Sequence, residues 1–302
     1  MIECDKRFLE YYGLTELPFG VTPDPRFLYL GAKHREALSA LVYGTETNRG
    51  FLALIARPGM GKTSLLFQYL EGLRNQARTA FLFQRVGDSR DFMKYLMADL
   101  NLDSAGKDLP EMHGALNQFL IQEKLEGRRV IIVIDEAQNL GEELLEFIRL
   151  LSNFETPHAK LMQIVIAGQP QLAERLAKAS MAQLRQRISF IIRLEQFDRE
   201  EATAYIDHRL NVAGYKGRPL FTIGARLSIA EHSEGIPRNI NSICFNAMSL
   251  AWALKKQVID RDMIQEIVAD FDLRSLLGTQ EVMVLKCEQE SKRNIWQVPR
   301  LL

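Results

Sequence analysis

The stretch from Phe51 to Thr63 limits the possible folds more than any other part of the chain. Five apolar residues, Phe51-Leu52-Ala53-Leu54-Ile55, run into Ala56-Arg57-Pro58-Gly59-Met60-Gly61-Lys62-Thr63, and a helical pattern opens at Lys62. A strand, a glycine-bearing loop and a helix that starts on Lys-Thr form the setting of a P-loop. Phosphate oxygens concentrate negative charge, so a cradle for them needs inward N–H groups and a backbone able to curl closely. Glycine supplies the second, and the positive end of the helix dipole adds to the first. The run Pro58, Gly59, Met60, Gly61, Lys62, Thr63 and Ser64 is the expected cradle. In it Lys62 contacts the β- and γ-phosphates and the Thr63 hydroxyl ligates Mg²⁺. The usual first glycine of the motif is Ala56 here, which is tolerable where φ stays negative.

The flanking pattern fixes the fold class. Phe51–Ile55, Ala80–Phe83, Val130–Ile134, Gln163–Ala167 and Phe190–Ile192 read as five short strands. Helical patterns separate them, starting at Lys62, at about Asp91, over Pro110–Leu125 and over Glu142–Ser152. Strands apolar on both faces and alternating with helices predict an α/β fold, a five-stranded parallel sheet sandwiched by helices. Ahead of it, Pro18, Pro23 and Pro25 break regular structure, and His34–Tyr43 has helical spacing. From about Asp198 only helices follow: Asp198–Ala213, Gly224–His232, Pro237–Leu254 and Asp260–Phe271. The expected division is a lead-in packing on the ATPase core (1–50), the α/β core (51–215), a small all-helical lid (216–275) and a tail (276–302).

Four further features carry chemistry. Asp135-Glu136 ends the Val130–Ile134 strand, where open α/β sheets bind ligands. Asp135 is placed to hold Mg²⁺ through its water shell, and Glu136 to orient and polarise an attacking water. Gln169, after the next apolar strand, suits a sensor of the γ-phosphate or a turn residue before Pro170. Arg185 and Arg187, just before the fifth strand, fit an arginine supplied to a neighbouring subunit's γ-phosphate or intrachain ion pairing. Arg238, in the first turn of a helix opened by Pro237, fits a reach back to the nucleotide. An arginine opposes the dipole at that end, so a phosphate partner would compensate it.

Composition excludes several classes. Lys+Arg and Asp+Glu are both 38, so there is no bulk basic excess of the nucleic-acid-binding kind. Cys4, Cys244 and Cys287 are too few and scattered for a disulfide framework or a zinc site. No apolar run approaches a membrane span, Val130–Ile134 stopping at Asp135, and the first residues lack a signal-peptide pattern. A cytoplasmic protein without direct membrane insertion is expected.

Together these segments resemble the AAA+ ATPases and, within them, the ExeA-like (general secretion pathway protein A) branch. The resemblance rests on Leu17-Pro18-Phe19 with Thr22-Pro23-Asp24-Pro25, on Asp135-Glu136-Ala137-Gln138, and on Leu150 to Thr156. It continues through Ala167-Gly168-Gln169-Pro170, Leu184-Arg185-Gln186-Arg187-Ile188 and Gly235-Ile236-Pro237-Arg238. It implies that Lys62 and Thr63 are Walker A, Asp135 and Glu136 Walker B, Gln169 sensor 1 and Arg238 sensor 2. Arg187, or else Arg185, is the arginine finger, and Phe19 to Pro25 lies near the adenine. The implied ligands are ATP and Mg²⁺, and the implied partner is the chain itself in an ATP-dependent homo-oligomer. The expected work is assembly or remodelling of a cell-envelope complex, a secretion system or pilus, through a protein partner. The alternative is an ATP-dependent DNA-binding regulator of transposition that recruits a transposase.

Overall fold

The apolar runs become neighbouring strands of one sheet. The computed structural model describes residues 3–20, 22, 24–83, 87–157 and 159–277. Its strands are β1 (Phe51–Ala56), β2 (Ala77–Leu82), β3 (Arg129–Ile134), β4 (Glu155–Thr156), β5 (Ala159–Lys160), β6 (Gln163–Gly168) and β7 (Ile188–Leu194). The order β2-β3-β6-β1-β7 makes a five-stranded sheet in which every pairing is parallel. Central β1 and β6 are buried at every position, as sheets covered on both faces require. Edge strands β2 and β7 mix buried and accessible positions.

Alternation along the strands feeds two cores. Ala53, Ile132 and Ile164 point to the face covered by α4 (Ser89–Asp99), α5 (Leu109–Leu125), α6 (Glu142–Leu151) and α7 (Pro170–Ala177). Leu52, Leu54, Val133 and Val165 point to the other face, against α2 (Ala32–Glu46) and α3 (Lys62–Leu73). A third core joins α9 (Arg199–Val212), α10 (Ile223–His232), α11 (Pro237–Ala253) and α12 (Arg261–Leu277), and α1 (Glu3–Tyr12) packs into it.

Local details differ from expectation for identifiable reasons. Helix α4 starts at Ser89, ahead of Asp91, because the Asp88 carboxylate caps it by accepting from the Asp91 N–H at 2.8 Å. Strand β2 begins at Ala77, since register with Arg129 extends it toward its N-terminus. The segment carrying Arg185 and Arg187 is a short helix, α8 (Ala182–Arg187), and β4 and β5 form an antiparallel hairpin unforeseen in the sequence.

The first fifty residues also pack differently from the expected lead-in on the ATPase core. Helix α2 rests on the sheet through Ala37 and Leu41, with Leu30 just ahead of it packed on the same core. Phe8, Leu9, Tyr12, Phe19 and Phe27 join the helical core, and so do Ala202, Tyr205, Ile206 and Leu210 of α9. We propose that the lid starts near Asp198, ahead of 216, and includes α1. From Gly278 on, the expected tail lies outside the described residues, as do Pro23 and Cys287.

Candidate functional site

Between β1 and α3 the chain makes the curl the motif requires. Gly59 and Gly61 both have φ of +81°, a left-handed backbone that side chains disfavour. Ala56 still belongs to β1 and is not among the positive-φ residues, so no glycine is needed there. Gly59 is further constrained by the lid: a Cβ on it would stand 2.7 Å from Arg238 Cβ. The Arg238 N–H donates to Gly59 O at 3.1 Å, joining the N-terminus of α11 to the loop.

The strand ends deliver the acids to the same place. Lys62 Nζ is ion-paired with Asp135 and, at 2.8 Å, with Glu136 Oε1. The Thr63 hydroxyl donates to Asp135 Oδ2 at 2.7 Å. Glu136 sits just past β3 with φ of 52°, a strained position for a residue with a side chain. Its Oε2 accepts from Gln138 Nε2 at 2.6 Å and from Gln169 Nε2 at 3.2 Å. Partial burial pushes the Glu136 carboxyl up, but the hydrogen bonds from Lys62, Gln138 and Gln169 outweigh it and hold it below the ordinary carboxylate value. Adjacent hydroxyl and carboxylate oxygens at Thr63 and Asp135 suit Mg²⁺, which takes one or two protein oxygens alongside substrate phosphates.

Lys62, Thr63, Glu136 and Gln169 face a cleft of about 390 Å³, within the range of small-ligand sites. Its lining includes the run Pro58 to Ser64, Glu136 and Gln169 on one side, and Pro237, Arg238 and Asn241 of the lid on the other. Gly20, Thr22 and Asp24 close its far end, so part of the expected lead-in segment reaches it. Phe19 does not line it; its ring is buried edge-on to Phe221 in the helical core at 6.2 Å.

The AAA domain family matches residues 45–176. General secretion pathway protein A of Aeromonas hydrophila is 34% identical over 249 residues, which is 82% of this chain and 45% of that protein. The chain carries an AAA domain. ATP-dependent target DNA activator B of Escherichia phage Mu is 27% identical over 147 residues, covering 48% of this chain and 43% of the activator. The chain thus spans less than half the length of these relatives. In fold, it resembles Cdc6p from Pyrobaculum aerophilum with a TM-score of 0.61 at 15% identity, covering 80% of this chain and 67% of that one.

Beyond the matched AAA domain, neither Arg185 nor Arg187 lines the cleft. Arg185 Nη1 donates to the carbonyls of Leu176 and Ala177 at 2.8 and 3.1 Å, satisfying the C-terminal end of α7. Arg187 ends α8 with a bond to Asn153 Oδ1 at 3.1 Å.

Sequence reasoning missed much of the remaining lining of the cleft. His34, Phe27, Tyr29, Phe197, Tyr205, Arg209 and Asn241 all line it. Buried His34 contacts the P-loop itself, its Nε2 lying 3.1 Å from Met60 O. Arg209 is buried in the lid, donates to Pro18 O at 2.5 Å and lies 4.5 Å above the Phe27 ring. Among the described residues no carboxylate pairs with it within 4.0 Å. Among them too, no helix is long and apolar enough to cross a membrane.

Proposed function

We propose that this chain is an oligomeric, Mg²⁺-dependent ATPase whose cycle assembles or remodels a protein complex, with cell-envelope secretion or pilus machinery as the setting. The observation that supports it best is the meeting of Lys62, Thr63, Asp135, Glu136 and Gln169 at one end of a cleft roofed by Arg238. In this reading the Pro58–Ser64 loop and Lys62 bind the phosphates, and Arg238 closes over them from the lid. Thr63 and Asp135 would hold Mg²⁺, which when bound would supply neutralisation of phosphate charge. Glu136 is ionised at neutral pH and accepts a proton from the attacking water. Gln138 and Gln169 fix the plane of its carboxylate, and Gln169 reads the γ-phosphate side. Arg187, away from its own cleft, is the residue we assign to a neighbouring copy's γ-phosphate; Arg185 serves α7.

The test is binding of a fluorescent ATP analogue together with phosphate release. Lys62→Ala should weaken binding by about 100-fold or more, whereas Glu136→Gln should bind normally and turn over about 100- to 1,000-fold more slowly. Normal turnover by Glu136→Gln would remove the proposed base.

A second reading is favoured by the similarity to ATP-dependent target DNA activator B: an ATP-dependent DNA-binding regulator of transposition. Duplex DNA added to the same assay separates the two. Binding that requires ATP and falls steeply with salt, through counterion release, supports the second; no effect of DNA on turnover supports the first.

A further inference from the structure

Three asparagines lie along α11, and their side chains are used differently. Asn239 Nδ2 donates to Ser233 O at 3.3 Å, and Asn246 Nδ2 donates to Ser242 O at 2.7 Å. Asn241 lies one helical turn beyond Arg238 on the same face, and both line the cleft. Its Oδ1 accepts from the Tyr205 hydroxyl at 2.9 Å, and its Nδ2 has no hydrogen-bond partner among the described residues.

The orientation of that amide follows from the groups behind it. Arg209 Nη1 can only donate, and it donates to the Tyr205 oxygen at 3.3 Å. The Tyr205 proton must then go to another acceptor, and Asn241 Oδ1 is the one within reach. Turning the amide over would leave the proton of a buried hydroxyl unpaired, at a cost comparable to a lost hydrogen bond. Arg209 is held in turn by the carbonyls of Pro18 and Gly20. The chain Arg209, Tyr205, Asn241 therefore has one direction, and it ends with two N–H donors on the cleft.

We infer that Asn241 binds the nucleotide directly, donating from Nδ2 to an oxygen of its sugar–phosphate portion, with Tyr205 and Arg209 as positioning residues. Donors beside the phosphate site select acceptors, and sugar and phosphate oxygens are the acceptors a nucleotide offers there. The inference rests on the nucleotide cleft proposed above.

The test measures ATP affinity, with Mg²⁺, for the wild type, Lys62→Ala, Asn241→Ala, Asn241→Asp and Tyr205→Phe, and the melting temperature of each without nucleotide. Asn241→Ala should bind about 10-fold more weakly. Asn241→Asp keeps an oxygen for Tyr205 but loses both donors, so it should bind at least as weakly while melting like the wild type. Tyr205→Phe removes the same internal bond and leaves the donors in place, so its loss should be only about 2- to 3-fold. Wild-type affinity in Asn241→Ala, or equal losses in Asn241→Ala and Tyr205→Phe, would overturn the inference and leave the ATPase reading standing. A wild-type chain that binds ATP no better than Lys62→Ala would overturn both.

Discussion

On the sheet side of the cleft every functional side chain leaves a buried strand or the turn or helix that follows it, whereas the rest of the lining is gathered from distant segments. Lys62 and Thr63 follow β1, Asp135 and Glu136 follow β3, and Gln169 follows β6, three strands adjacent in the sheet. Elsewhere along the lining, Gly20 and Phe27 come from the lead-in, His34 from α2, Tyr205 and Arg209 from α9 and Asn241 from α11. Parallel hydrogen bonding holds the first group in register. The second depends on individual tertiary contacts such as that from Arg209 to Pro18, 191 residues away. The comparison therefore assigns the phosphate chemistry to the sheet and the other wall of the cleft to the shared core of lid and lead-in.

The sharpest way to break that comparison is at the joint between them. Gly235 has φ of +66°, and a Cβ on it would lie 2.0 Å from Phe197 O, a backbone atom that cannot turn aside. Gly235→Ala should cost about 3 kcal/mol of stability in denaturant unfolding. Gly20→Ala, at a cleft position with open space around it and no positive φ, is the control and should change little. Equal effects of the two would remove the joint from the argument.

Arg209→Met tests the lead-in end with a smaller expected effect. Methionine fills similar space but leaves the Pro18 carbonyl and the Tyr205 hydroxyl without their donor, at about 2 kcal/mol. Affinity for ATP should fall while the turnover of bound ATP stays close to wild type. A variant that binds normally and turns over slowly would place Arg209 with the chemistry instead.

The smallest effect concerns pH. Burial holds the His34 pKa below its ordinary value, the Met60 carbonyl only partly opposing it, and Nδ1 is buried without a partner. The folded protein therefore resists a proton that the unfolded chain accepts. Stability from this site is complete above about pH 6.5 and is lost as pH falls through the folded value. His113 and His208 are also lowered by burial and add a slope of the same sign. His34→Gln should consequently show a slightly smaller fall in melting temperature from pH 7.5 to 5 than the wild type. An unchanged slope would show that His34 does not resist protonation.

The same contrast explains what could be read from the residues alone. The five strands announced themselves because burial on both faces demands uninterrupted apolar runs, and the P-loop because its chemistry needs one contiguous segment. Asp135, Glu136 and Gln169 were legible as polar residues directly after such runs. His34 was not, since one histidine in an amphipathic helix has no distinguishing neighbour in sequence. Tyr205, Arg209 and Asn241 acquire a common purpose only when α9 and α11 pack together. The β4–β5 hairpin, with two residues per strand, is too short to show a period. That Arg185 satisfies the end of α7 could not be read from residue types, because its acceptors are backbone carbonyls.

The attachment of α1 to the lid has a consequence for how the chain is made. The Tyr12 hydroxyl donates to Met248 O, 236 residues later. At about 5–20 residues per second of synthesis, the partner surface of α1 emerges roughly 10 to 50 seconds after α1 itself. Through that interval Phe8, Leu9 and Tyr12 have no native core to enter, while the sheet can already close behind them. Helix α1 is thus made well before the surface that buries it, and a newly made chain exposes an amphipathic helix to which a holdase chaperone can bind.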